Sequence, residues 1–165
     1  MELADLFALG ARIGERLVTR GETVAVAESS AGGLISAALL SRAGASAYYL
    51  GGAVIYTRRA FRRFTTLTAD DMAGLRSSTL PYAQLMARHQ RERFRATWAV
   101  AETGAAGPDG NPYGDPAGHA CIAVEGPQKR ERLLRTGRSE RAPNMLLFAA
   151  TALELLDEAI ASAPR

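Results

Sequence analysis

Residues 25–33 read Ala-Val-Ala-Glu-Ser-Ser-Ala-Gly-Gly, and residues 99–107 read Ala-Val-Ala-Glu-Thr-Gly-Ala-Ala-Gly. Each is a short apolar run, then a glutamate, a hydroxyl residue and a small, glycine-containing turn. In an open α/β sheet, ligands gather at the carboxyl ends of the strands. Glycines there let a backbone approach a ligand, and free N–H groups at a following helix start favour an anion. Two such peptides in one small chain read as two walls of one pocket. The competing reading is coincidence in a sequence rich in alanine and glycine.

Working outward, residues 2–20 place Leu3, Leu6, Phe7, Ile13, Leu17 and Val18 at helical spacing. Gly21 closes that helix. Thr23–Glu28 reads as a buried strand of the parallel type. Ser29 and Ser30 are candidate N-caps for a helix over 32–42. A strand is expected over 53–57, a short basic helix over 58–64, and another short helix after Thr68. A longer helix spans 80–95, with Pro81 in its first turn. Ala96–Glu102 is a second buried strand, followed by a glycine- and proline-rich loop over 103–118. A strand over 118–125, a turn at 126–129, a returning strand over 131–136 and a helix over 143–161 complete the chain. Strands alternating with helices predict a three-layer α/β/α architecture with a mixed, mostly parallel five-stranded sheet.

Composition narrows the function. The chain has 165 residues, is 47% hydrophobic and 22% charged, and carries a formal charge of +3. That is ordinary for one globular domain spanning 1–165, able to bury roughly 70% of its unfolded surface. No apolar run is long enough to span a bilayer. Glu2 and Asp5 argue against a signal peptide. The single cysteine, Cys121, fits a reducing cytoplasm and excludes an internal disulfide. His89, His119 and Cys121 form no metal-ligand spacing, so no metal is expected. Lys129 is the only lysine, so a lysine base has one candidate. The arginine runs at 58–63 and 88–95 carry no aromatic interleaving or nucleic-acid motif, and read as solvated helix faces.

Several side chains carry potential chemistry. Ser46 lies among small residues that leave a nucleophile approachable, but it needs a base. Tyr56, ten residues on, could relay a proton. Glu28 and Glu102 end their strands and could act as acid and base, bind hydroxyls or a metal, or simply order their loops. For Glu102 the loop-ordering reading is preferred. Thr103 and Gly104 open the second turn. Standard nucleoside-triphosphate and dinucleotide glycine motifs are not present.

Three ordered segments carry a resemblance: Ala-Glu-Ser-Ser-Ala-Gly-Gly-Leu-Ile-Ser (27–36), Gly-Ala-Ser-Ala-Tyr-Tyr-Leu-Gly-Gly-Ala-Val-Ile-Tyr (44–56) and Thr-Gly-Ala-Ala-Gly-Pro-Asp-Gly (103–110). With the closing stretch around Arg141, they resemble the CinA C-terminal family, which includes nicotinamide-nucleotide amidohydrolases. The resemblance implies an anticodon-binding-like α/β/α fold. It implies hydrolysis of the carboxamide of nicotinamide mononucleotide to nicotinic acid mononucleotide and ammonia, with no metal or other cofactor. It puts the nucleophile at Ser46 and the strand-end tyrosine at Tyr56. Ligand contacts are expected from Glu28, Ser29, Gly32, Gly33, Thr103, Gly104, Gly107 and Arg141. The expected partners are a small-molecule nucleotide and a second copy of the chain, with no membrane and no nucleic acid. The family's lysine, five residues after the tyrosine, falls on Phe61, which cannot take a proton. A relative that binds a pyridine nucleotide without turning it over is the alternative. An interaction module using the arginine-rich face is a third reading.

Overall fold

The computed structural model describes residues 1–164. Five strands form one sheet: β1 (Val24–Glu28), β2 (Tyr49–Val54), β3 (Trp98–Ala105), β4 (His119–Glu125) and β5 (Arg130–Arg135), in the order β2-β1-β3-β4-β5. β1 is parallel to both β2 and β3. β4 is antiparallel to β3, and β5 to β4. Four strands therefore point one way and β4 alone opposes them.

Six helices cover the sheet: α1 (Leu3–Arg20), α2 (Leu34–Leu40), α3 (Arg58–Phe64), α4 (Ala69–Met72), α5 (Leu80–Phe94) and α6 (Arg141–Ser162). Strand alternation divides them between two faces. Val24, Val26, Trp98, Val100, Ile122 and Val124 pack with apolar residues of α1, α2 and α6. The opposite face presents Ala27, Ala101, Cys121 and Ala123 to Tyr82, Ala83, Met86 and Ala87 of α5. Bulky side chains thus fill the three-helix side. Small ones let α5 lie close to the sheet, as dense packing requires. The three-layer architecture read from the alternation of elements is the one observed.

Several boundaries differ from the sequence expectation, each for a physical reason. β2 begins at Tyr49 and ends at Val54, because its parallel register with β1 runs from Val24↔Tyr49 to Glu28↔Val54. Tyr56 and Thr57 lie beyond it, and Thr57 caps α3 by accepting from the Ala60 amide at 3.1 Å. β3 continues through Thr103 and Gly104 to Ala105, because β4 supplies an antiparallel partner as far as Ala105↔His119. The second glycine peptide is therefore largely strand, and only the first is a turn. α2 is capped by Gly33 in a left-handed conformation (φ 99), not by Ser29 or Ser30. α6 begins two residues earlier than Pro143, which sits in its first turn.

The connections fix where a ligand can sit. The β1-to-β2 connection carries α2 on one face, whereas the β2-to-β3 connection carries α3, α4 and α5 on the other. β1 is flanked by strands reached over opposite faces. Its carboxyl end, with that of β3, is the topological switch point where α/β sheets open a crevice.

Candidate functional site

A cavity of about 590 Å³ opens at that crevice. Ser29 follows β1, Tyr56 follows β2, and Thr103 and Gly104 lie at the end of β3; all four line it. Arg58 and Phe61 reach it from α3, Arg76, Ser77 and Ser78 from the segment before α5, and Tyr82 from α5 itself. The loop after β3 contributes Asn111, Pro112 and Tyr113. No carboxylate and no lysine lie on its walls. Lys129 is instead tied to Glu125 at 3.0 Å in the β4–β5 hairpin.

Glu28, which ends β1, and Glu102, inside β3, are both buried and are spent on ordering the turn after β1. Glu28 Oε1 accepts from the amides of Gly33 (3.1 Å) and Ile35 (2.9 Å), and Oε2 from that of Ser36 (2.8 Å). This carboxylate meets the amides that open α2, where an anion offsets the unpaired N–H groups. Glu102 Oε2 accepts from the amides of Ser29 (3.0 Å) and Ala31 (2.8 Å), while Oε1 receives the Ser30 hydroxyl. Burial pushes the Glu102 carboxyl above its ordinary range, against the pull of those hydrogen bonds. The loop-ordering reading of Glu102 thus holds. Glu28 does the same work, and Gly32 and Gly33 serve the turn into α2. The amides of Ser29, Ala31, Gly32 and Gly33 are consumed internally, which leaves only that of Ser30 without a partner among the described residues.

Thr103 is also engaged: its Oγ1 accepts from the Ser78 amide at 3.0 Å. The Ser78 carbonyl lies 2.9 Å from His119 Nε2 and 3.5 Å from Cys121 Sγ. Three side chains from β3 and β4 thereby hold Ser78 at φ 61, a left-handed conformation unusual for a residue with a side chain. Gly104 has no room for a Cβ, which would meet the His119 carbonyl oxygen at 2.2 Å. Burial pushes the Cys121 thiol up to about 11, leaving it a poor nucleophile.

The hydroxyl inventory matters most. Ser29 is half-buried and lines the cavity; among the described residues its Oγ makes no hydrogen bond, although its amide does. The Tyr56 phenol oxygen accepts from Arg141 Nη2 at 2.9 Å, and Arg141 Nη1 donates to the Gly107 carbonyl at 2.7 Å. Tyr56, Gly107 and Arg141 are therefore brought together at the rim. Tyr82 is buried against Phe61, ring centroids 6.5 Å apart. Burial pushes its phenol up to about 12, so it remains an O–H donor at neutral pH.

Ser46 stands elsewhere. It is exposed on a single 3₁₀ turn, Ala45–Ala47, that precedes β2. That is the amino end of the strand, whereas Tyr56 follows its carboxyl end, so the sheet separates the two. Sequence reasoning missed Ser78, Tyr82, Arg76 and Tyr113 as cavity residues. Only Ser77-Ser78-Thr79 ahead of Pro81, a helix-start signal, pointed near any of them. Among the described residues no group of three or more His, Cys, Asp or Glu is placed to hold a metal, and no helix is long and apolar enough to cross a membrane.

Residues 7–160 match the family model of the CinA C-terminal domain. A CinA-like protein of Acaryochloris marina is 38% identical over 116 residues, covering 70% of this chain and 28% of that protein. One from Myxococcus xanthus is 34% identical over 164 residues, covering 97% of this chain and 38% of that protein. The chain thus spans about a third of the length of these relatives. Among solved structures, the competence/damage-inducible protein CihA from Agrobacterium tumefaciens superposes with a TM-score of 0.85 at 33% identity, covering 93% of this chain and 94% of that one. The competence damage-inducible protein A of Klebsiella pneumoniae gives 0.87 at 27% identity, covering 95% and 98%. By sequence and by fold, the chain belongs to the CinA C-terminal domain family.

Proposed function

We propose that this protein is an amidohydrolase of the CinA type, acting on the carboxamide of a pyridine nucleotide such as nicotinamide mononucleotide. The observation that carries this reading is the free Ser29 hydroxyl sharing a cavity with Tyr56. Ser29, rather than Ser46, is the better-supported nucleophile, because Ser46 has no access to that cavity within the chain.

In the proposed reaction the Ser29 Oγ bonds to the carboxamide carbon. Tyr56 takes the serine proton and gives its own to the departing nitrogen, which leaves as ammonia when the C–N bond breaks. Arg141 holds the phenol oxygen in place for that relay. Tyr82, kept protonated by burial, donates to the carbonyl oxygen as negative charge gathers there. Water then hydrolyses the ester, releasing the carboxylate and restoring Ser29.

One observation favours a second reading. Phe61 faces the cavity at the family's lysine position, and neither neighbouring arginine is a practical base. Removal of a general base costs about 10²–10⁴-fold in rate. The second reading is a protein that binds the nucleotide and does not turn it over. Ammonia release from nicotinamide mononucleotide separates the two. Release that disappears in Ser29→Ala supports the enzyme. Binding by calorimetry without release, from pH 6 to 10, supports the second reading.

A further inference from the structure

Ser78 is only 5% exposed, yet it lines the cavity. Its amide and carbonyl are fully occupied by Thr103, His119 and Cys121, whereas its hydroxyl makes no hydrogen bond among the described residues. The hydroxyl oxygen itself keeps accessible surface, and the cavity is the direction from which a ligand can meet it. The backbone at this position sits in a conformation that costs energy and is held by three contacts. Such over-determined positions gather at ligand sites.

The cations lie beside it. Arg76, two residues earlier, stacks over the Tyr113 ring at 4.8 Å and pairs with Asp115 at 2.9 Å. Arg58 lines the same cavity from α3, and Ser77, Arg58 and Arg76 together draw the Tyr113 phenol below the ordinary tyrosine range. Arg58, Arg76 and Tyr113 thus line one cavity together, with Arg76 stacked on the tyrosine ring. Asp115 offsets Arg76, while Arg58 has no acidic partner among the described residues. One uncompensated positive charge therefore lines the same cavity as the Ser78 hydroxyl.

We propose that Arg58, Arg76 and Ser78 form an anion subsite that takes the phosphate of a phosphomonoester ligand. A phosphate offers three acceptor oxygens, which suits two guanidinium groups and a hydroxyl, and arginine is the side chain best shaped for it. Placed there, the phosphate leaves the ligand's other end for Ser29 and Tyr56. The proposal rests on reading the cavity as a nucleotide site. It concerns binding, so it survives if the chain proves inactive as an amidase.

The test uses ribose 5-phosphate, which has the phosphate and no amide, with nicotinamide mononucleotide and nicotinamide riboside alongside. Calorimetry at low ionic strength follows binding to the wild-type chain, Arg58→Ala and Ser78→Gly. Glycine removes the hydroxyl and accepts the left-handed backbone, so the second variant folds; circular dichroism checks both. Each variant is expected to weaken ribose 5-phosphate and the mononucleotide by about tenfold or more, with the riboside unchanged. Failure of ribose 5-phosphate to bind the wild-type chain overturns the proposal. So does unchanged affinity in either variant, which leaves that residue outside the subsite. Absence of ammonia release with this pattern intact removes the amidase reading alone.

Discussion

Glu28 and Glu102 look interchangeable in sequence, but their hydrogen bonds make opposite demands. Both oxygens of Glu28 face backbone amides. A glutamine there must turn an NH₂ towards an N–H, stranding a buried donor at a cost of about 1–3 kcal/mol. Thermal unfolding of Glu28→Gln is expected to fall by about 2–4 °C for each kcal/mol lost in a chain of this size. Glu102 differs, because Oε1 meets the Ser30 hydroxyl, which can accept as well as donate. Glu102→Gln is therefore expected to keep its fold with a much smaller change in melting temperature. Its pH dependence follows from the raised carboxyl. The folded state holds the proton more tightly than the unfolded chain. The associated stability is full below the ordinary glutamate range and is lost as pH rises through the higher folded value. Glu102→Gln should flatten that decline in melting curves taken from pH 4 upward. At the cavity, Tyr82→Phe keeps the packing against Phe61 and removes only the O–H. If Tyr82 donates to the oxyanion, kcat falls by about 10²–10³-fold with melting temperature little changed.

At the level of elements, the site depends on how tightly α2 is held against α1 and β1. A Cβ on Gly10 of α1 would meet the Ala38 carbonyl oxygen of α2 at 2.2 Å. Gly10→Ala is thus expected to force the two helices apart and cost about 1–3 kcal/mol, read as a lower urea midpoint with an unchanged slope. Helix spacing and buried strands were legible in the sequence, because apolar periodicity reports burial directly: Leu6, Ile13 and Leu17 are all fully buried. The resemblance of the two glycine peptides was legible, but their conformations were not. Ala-Glu-Thr-Gly-Ala stays in β3 because β4 pairs with it, whereas Ala-Glu-Ser-Ser-Ala turns after Glu28 because the Ser29 and Ala31 amides bind the Glu102 carboxylate. Those partners are 71 to 73 residues away for the Glu102 contacts, beyond any local pattern. Ser78 was illegible for the same reason: its left-handed backbone is imposed by Thr103, His119 and Cys121, not by its neighbours in sequence. Phe61, by contrast, was found from the sequence and does face the cavity.

At the scale of the whole molecule, connections over opposite faces of β1 open a crevice, and the chain fills its rim with hydroxyls and arginines. This arrangement explains why Ser46 and Tyr56, close in sequence, do not share a site: β2 lies between them. It also brings Ser29, Tyr56 and Arg141 together from three parts of the chain. The most direct test of the proposed reaction is ammonia release from nicotinamide mononucleotide by the wild-type chain, Ser29→Ala and Ser46→Ala, each confirmed as folded. Release by the wild type and by Ser46→Ala, with loss to background in Ser29→Ala, is the predicted result. Release that persists in Ser29→Ala, or that vanishes in Ser46→Ala, would contradict it.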